Sequence, residues 1–208
     1  MIYLDFAKAF DKVDHGVLLH KMRALGISGR LGLWICSFLK NRTQFVATNG
    51  SISSTSTVIS GVPQGSVLGP LLFLLHIHDI DSTVVYSAVT SFADDTRLSL
   101  PINDQSDADL LQADLNKVYE WAVTNNMTFN NSKFDHLSYS TNPNNRHLYT
   151  YHAPDGSAID SPSVVCDLGV YLSKDGTFTT NITNLTKKQE VRWGGFCALS
   201  RPVNHSQC

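Results

Sequence analysis

An α+β domain is what this sequence predicts. Three observations carry that expectation. Short β-prone runs occur at Ile2-Tyr3-Leu4-Asp5-Phe6 and in the alternating stretch 84–100. Longer runs with helical spacing occupy 16–26, 28–40 and 105–126. Gly, Pro and Asn punctuate the joins. The 208 residues favour one domain, or one and a half, and a 42% hydrophobic content is enough to build a core.

Residues 2–6 have the character of a short buried strand. The helix at 16–26 carries Val17, Leu18, Met22 and Leu25 on one side and closes at Gly26. A second helix at about 28–40 starts from a Ser28 cap and brings Leu31, Leu33, Trp34, Ile35, Phe38 and Leu39. The Thr/Ser/Val-rich runs 43–48 and 55–60 flank Asn49-Gly50, a strong hairpin signal. Gly61-Val62-Pro63-Gln64-Gly65 forms a loop leading into an apolar helix from about Ser66 to Ile80. Residues 84–100 predict a hairpin with Asp94-Asp95 at its tip. Leu110, Leu111, Leu115, Val118 and Trp121 stand at helical spacing within 105–126. Strands are expected near 127–129, 135–140, 147–152 and 164–172, with a turn at 141–146 and a polar tail after about 187. Trp34, Trp121 and the leucines are expected in the core.

Sixteen basic and eighteen acidic residues give a formal charge of −2. That excludes a protein holding nucleic acid by a broad basic face but leaves room for a local basic groove. Cys36, Cys166, Cys197 and Cys208 form no CxxC pair, so they read as reduced intracellular thiols. No signal peptide and no apolar run of membrane-spanning length is present, so neither secretion nor a membrane partner is expected. An intracellular location follows, and Lys187-Lys188 is too short a basic cluster to choose between nucleus and cytoplasm.

Three constellations carry chemistry. Asp94-Asp95 lies in an apolar β-prone run, and Asp5 lies far upstream on a second one. Two carboxylates about 4 Å apart repel by roughly 4 kcal/mol at an effective dielectric of ~20. Either a cation sits between them or one pKa is raised. Mg²⁺ suits that role, since it takes one or two carboxylates plus substrate phosphates, and the chemistry served would be two-metal phosphoryl transfer. General acid/base work by the carboxylates is an alternative, but no matching His or Glu accompanies them. The second constellation is Gly61 to Pro70: glycines around Pro63-Gln64 let backbone approach a ligand, and Gln64 offers a donor and an acceptor on a stiff turn. A plain loop preceding a helix explains the same residues. The third is Asn130-Asn131-Ser132-Lys133, where the lysine is either a solvated charge or, if close to the aspartates, a triphosphate contact. His15, His20, His76 and His78 invite a metal reading, but His76 and His78, two apart on a helix, point in different directions and make a poor zinc site.

These residues also carry a family resemblance. Tyr3-Leu4-Asp5-Phe6-Ala7-Lys8-Ala9-Phe10-Asp11-Lys12-Val13-Asp14-His15 resembles motif A of reverse transcriptases from non-LTR (LINE-type) retrotransposons. Gly61 to Pro70 resembles motif B, and Phe92-Ala93-Asp94-Asp95-Thr96 resembles motif C. Trp121 to Lys133 is similar to motif D, Asp167 to Leu172 to motif E, and Asn41-Arg42-Thr43-Gln44 to the segment between A and B. The resemblance implies a polymerase palm, an antiparallel sheet with helices packed on one face, over residues 1–186. It implies an RNA-directed DNA polymerase acting on an RNA template, a DNA primer and deoxynucleoside triphosphates. Asp5, Asp94 and Asp95 would be catalytic and hold two Mg²⁺ ions, with Mn²⁺ as the substitute. Phe6, Phe10, Pro63, Gln64, Gly65 and Lys133 would bind substrate, with Phe10 as the steric gate against a 2′-hydroxyl.

The chain begins at motif A and stops soon after motif E, so fingers and thumb are expected to be missing, with 187–208 a polar tail or the start of a shortened thumb. His76 and His78 stand where Tyr and Asn are usual. Two other readings compete: a catalytically silent remnant acting as a nucleic-acid-binding or interaction module, and another two-metal palm enzyme such as a nucleotide cyclase. Phe10 and the Pro-Gln-Gly loop argue against the latter. Oligomeric state is not legible.

Overall fold

The elements run β1 (Ile2–Leu4), α1 (Ala9–Lys12), α2 (His15–Ala24), α3 (Gly29–Leu39), β2 (Thr43–Gln44), β3 (Ala47–Thr48), β4 (Ser51–Ile52), β5 (Ser56–Thr57) and α4 (Leu68–Ile77). They continue with β6 (Ala88–Phe92), β7 (Asp95–Ser99), α5 (Gln105–Thr124), β8 (Asp135–His136), β9 (Val164–Asp167) and β10 (Val170–Ser173). The computed structural model describes residues 1–140 and 149–186. It divides into two units: Met1–His136 with Tyr149–Asp160, and Leu137–Leu148 with Ser161–Cys208. The expected tail at 187–208 and the turn at 141–146 lie outside the described residues.

The first unit is organised by an antiparallel sheet in the order β6-β7-β1-β8. The chain's first strand is therefore central, pairing Ile2 with both Leu98 and His136. Strand β1 is shorter than the expected 2–6 because pairing changes partner at Asp5. Beyond Leu4 the backbone bonds to the segment before β8: Asn130 N–H donates to Asp5 C=O at 2.8 Å and Ala7 N–H to Thr128 C=O at 2.8 Å. The strand expected at 127–129 is thus a single bridge between Phe6 and Phe129, and the one at 135–140 reduces to the two residues of β8. Of 147–152, residues 147 and 148 are outside the described set, and His152 forms only a bridge to Ala158.

Helix α2 starts on Asp14, whose carboxylate accepts from Val17 N–H at 2.9 Å. Its inner face is Leu18, Leu19 and Met22, while Leu25, expected inside, is 48% exposed. Helix α3 brings a larger correction. Only Ile35 and Leu39 are buried, and Leu31, Leu33 and Trp34 are exposed, Trp34 by 55%. Ile35 and Leu39, four residues apart, share the inner face, while Leu33 and Trp34 lie off it, Trp34 one turn from Arg30. The expected 43–60 hairpin forms around Asn49 and Gly50, both at positive φ as a two-residue I′ turn requires. It splits into two ribbons, β3 with β4 and β2 with β5, because Val46 N–H bonds the Ser53 hydroxyl rather than continuing the ladder.

Helix α4 is shorter than 66–80 and is followed by a 3₁₀ turn at Asp81–Thr83. Helix α5 closely matches expectation. Asp104 caps it by accepting from Asp107 N–H, and Leu111, Leu115 and Val118 are wholly buried. Burial of each such side chain contributes about 1.5–3 kcal/mol. The core also gathers Leu4, Phe6, Phe73, Leu98, Trp121 and Phe134. In the second unit, β9 and β10 pair around Leu168 and Gly169, both at positive φ, so the run 164–172 is a hairpin. No described helix is long and apolar enough to cross a membrane.

Candidate active site

The β6–β7 hairpin delivers Asp94. Its last ladder pair is Phe92 with Asp95, leaving Ala93 and Asp94 as a two-residue tip. Ala93 sits at φ 53°, a left-handed conformation that costs an L-residue about 1–2 kcal/mol. The side-chain hydroxyls of Ser91 and Thr96 meet across the hairpin at 3.0 Å. Asp5 arrives from the sheet's central strand at the point where its partner changes. Only half-buried, it forms an ion pair with Lys133, Nζ to Oδ2 3.3 Å. Lys133 is carried by a 3₁₀ turn, Asn131–Lys133, that the Asn130–Asp5 backbone bond places beside Asp5.

One cavity of about 720 Å³ gathers most of the residues singled out from the sequence: Asp5, Phe10, Gln64, Gly65, Asp94 and Lys133, together with Lys8 and Asn130. Phe6 also borders it, but its ring is in the core, stacked on Phe129 at 4.5 Å, and so is not offered to a ligand. Phe10 stacks on Phe73 at 4.8 Å, which fixes the ring at the cavity wall. Pro63 does not line this cavity. With Gln64, Lys8, Asp11 and Arg42 it lines a second one of about 810 Å³. Asp95 lines neither cavity and is exposed. Partial burial first, then the charges of Asp94 and Asp5, hold its carboxyl above the usual carboxylate range. Asp95 therefore feels the charges of the other two aspartates, a repulsion that a divalent cation relieves. Among the described residues no three His, Cys, Asp or Glu side chains converge into a ready-made metal cage. A pair of carboxylates opening on a cavity is the donor set Mg²⁺ uses when substrate phosphates complete its shell.

The loop 60–65 is fastened to the segment after Phe10. Gly61 N–H donates to Val13 C=O and Val62 N–H to Phe10 C=O, both at 2.8 Å, and the Ser60 hydroxyl donates to Asp11 C=O at 2.9 Å. Gly61 has φ 85°, and a Cβ there would lie 2.8 Å from Asp11 Cα and O. Glycine is required twice over, by conformation and by space. Gln64 Nε2 reaches the Asp11 carboxylate at 3.3 Å.

A residue the sequence reading passed over holds the hairpin. Asp114 on α5 is fully buried and accepts from Val85 N–H (3.0 Å), Tyr86 N–H (2.7 Å), Ser87 N–H (2.7 Å) and the Ser87 hydroxyl (3.0 Å), immediately before β6. Burial raises its pKa, but the Ser87, Tyr86 and Val85 amides outweigh burial and leave it lowered. The available signal was an aspartate on the apolar face of a helix, beside Leu111, Leu115 and Val118. Of the histidines weighed as metal ligands, His76 and His78 do not share a site. His76 is fully buried, its pKa pushed down to about 4 by burial and then by the Lys21 ammonium, whereas His78 is exposed and bonded to Leu75 C=O.

The model of the reverse transcriptase (RNA-dependent DNA polymerase) family matches residues 1–196. The probable RNA-directed DNA polymerase from transposon X-element of Drosophila melanogaster is 32% identical over 200 residues, covering 92% of this chain and 21% of that protein. The RNA-directed DNA polymerases from mobile element jockey of Drosophila funebris and Drosophila melanogaster are 32% and 31% identical, covering 91% and 92% of this chain and 21% and 22% of theirs. The chain spans about a fifth of the length of these relatives. With the family match running through nearly all of its length, the chain belongs to the reverse transcriptase family.

Proposed function

We propose that this chain is the palm region of an RNA-directed DNA polymerase from a non-LTR retrotransposon, extending a DNA primer on an RNA template with deoxynucleoside triphosphates. The observation that carries the proposal is the meeting of Asp5 and Asp94, from distant parts of the chain, at one cavity with Phe10, Gln64 and Lys133. The domain would run over residues 1–186, with fingers and thumb supplied elsewhere.

In this reading Asp5 and Asp94 hold two Mg²⁺ ions, which Mn²⁺ can replace, and Asp95 supports them from outside the cavity. The bound ions would supply Lewis-acid stabilisation of the attacking and leaving oxygens. The chain's own residues do the rest. Lys133, now paired with Asp5, exchanges that partner for the triphosphate. Gln64 orients the incoming nucleotide, with Pro63 and Gly65 shaping its loop. Phe10, braced by Phe73, closes the space a 2′-hydroxyl would occupy. Phe6 contributes through the packing that sets the wall rather than by touching substrate.

Primer extension on an RNA template tests the reading, with purified chain, Mg²⁺ and dNTPs beside an Asp94→Ala control. Extension abolished by the substitution supports the proposal. No extension from folded protein leaves the second reading, a catalytically silent module that at most holds nucleic acid.

A further inference from the structure

One main-chain oxygen in this site receives two side-chain donors. Gly61 C=O accepts from His15 Nε2 at 2.8 Å, a buried bond, and from Arg42 Nη2 at 2.9 Å. The His15 partner is a carbonyl, so Nε2 carries the hydrogen. Arg42 spends Nε on Leu39 C=O at 3.1 Å, which fixes its guanidinium at the end of α3. His15 is the first residue of α2 and lines neither the 720 Å³ nor the 810 Å³ cavity. These two side chains therefore converge from the start of one helix and the end of another on the residue three before Gln64. The remaining bonds of residues 60–62 all go to the stretch 10–13, which begins with Phe10.

From this we infer that His15 and Arg42 form a clamp whose work is to set the position of the Gln64 loop against Phe10, making both of them positioning residues for the incoming nucleotide. The inference rests on the polymerase reading and extends it to a residue that touches no substrate. Two opposed demands make such a clamp necessary. Gly61 must remain glycine to let the loop approach Asp11 so closely, yet a glycine is the residue least able to hold its own conformation. Two donors on its carbonyl replace the restraint that a side chain would give.

The test uses the full 208-residue chain with two substitutions at one position. His15→Leu removes the donor at similar volume, and His15→Gln keeps an N–H at about the reach of Nε2. Deuterium uptake of the 60–66 amides is measured first, and then the dissociation constant for a Mg²⁺-dNTP, with that for template-primer as the control. His15→Leu is expected to speed exchange in 60–66 and weaken dNTP binding about tenfold, the fold-change of one lost buried hydrogen bond. Template-primer binding should hold, and His15→Gln should recover both losses. If His15→Leu does not fold, Arg42→Met removes the other donor and must give the same split.

Equal impairment by Leu and Gln overturns the clamp. Faster exchange with unchanged nucleotide affinity shows a structural brace only and overturns the positioning role while leaving the polymerase reading intact. An unaltered chain that binds no nucleotide defeats the polymerase reading and the nucleotide half of this inference together; the exchange result still decides whether the clamp exists.

Discussion

Replacing Asp114 by Asn isolates the support of the β6–β7 hairpin with almost no change in shape. The carboxylate takes three backbone N–H groups and one hydroxyl, and Lys117 Nζ lies 3.3 Å from Oδ1. An amide keeps one acceptor oxygen. Turned to serve Tyr86 and Ser87, it presents an NH₂ to Val85 N–H, donor against donor. Bonds to a charged acceptor contribute about 1.5–3 kcal/mol and neutral ones about 1, so the change costs about 3 kcal/mol once the shared acceptor is allowed for. In a chain of this size that lowers Tm by about 6–12 °C.

The same residue sets an acid dependence. Its folded pKa is depressed, so its contribution is complete above the unfolded value near 3.9 and is lost as pH falls through the folded one. Urea titrations followed by tryptophan fluorescence at pH 7 and pH 3 measure both effects. Asp114→Asn should be less stable at pH 7 and should lose less on acidification. A loss under about 1 kcal/mol, or an unchanged acid slope, would refute the reasoning that this carboxylate anchors the hairpin.

Other substitutions probe the remaining parts of the site. Gly61→Ala should cost on the order of 3 kcal/mol or more, combining left-handed strain with displacement of the Asp11 backbone; a urea midpoint near that of the unaltered chain would show that the loop can retreat. Phe10→Val should lower the preference for dNTPs over rNTPs by roughly 10–100-fold in kcat/KM, measured in matched extension assays. His76, facing Lys21, Asp14 and Asp79, has its pKa lowered from about 6.5 to about 4. The unfolded chain binds that proton first, so the neutral His76 contribution is whole above pH 6.5 and falls away down to pH 4, by roughly 3 kcal/mol. His76→Leu should flatten stability across that window.

The sequence announced what rests on local chemistry. The Asn49-Gly50 turn and the stripe of α5 follow from backbone preference and spacing and are present, and the hairpin expected to turn at Asp94-Asp95 turns one residue earlier, at Ala93-Asp94, with Asp95 in the ladder. The elements that depend on distant partners were harder to see. Phe129 forms one bridge rather than a strand because its only partner there is Phe6, and Leu168-Gly169 breaks a β-prone run with a turn that a leucine gave no cause to expect. Trp34 lies off the stripe set by Ile35 and Leu39, one turn from Arg30, a placement that the mere presence of a large apolar side chain does not reveal. At the site, Asp5, Gln64, Asp94 and Lys133 were named from motifs and do share a cavity. Asp114 was missed because its role lies in three amides that only the fold brings to it.

The central position of β1 has a consequence for how the molecule comes into being. Within this chain Ile2 precedes its two neighbours in the sheet, Leu98 and His136, by 96 and 134 residues. The strand bearing the approach to Asp5 therefore stays unpaired until β7 has been made, exposing an apolar edge that invites wrong partners. Its insertion between β7 and β8 closes a very long loop and belongs to the slow class of folding events. Asp5 and Asp94 would thus be brought together only once β7 is complete, and a nascent piece ending before it would leave the Asp5 strand without that partner.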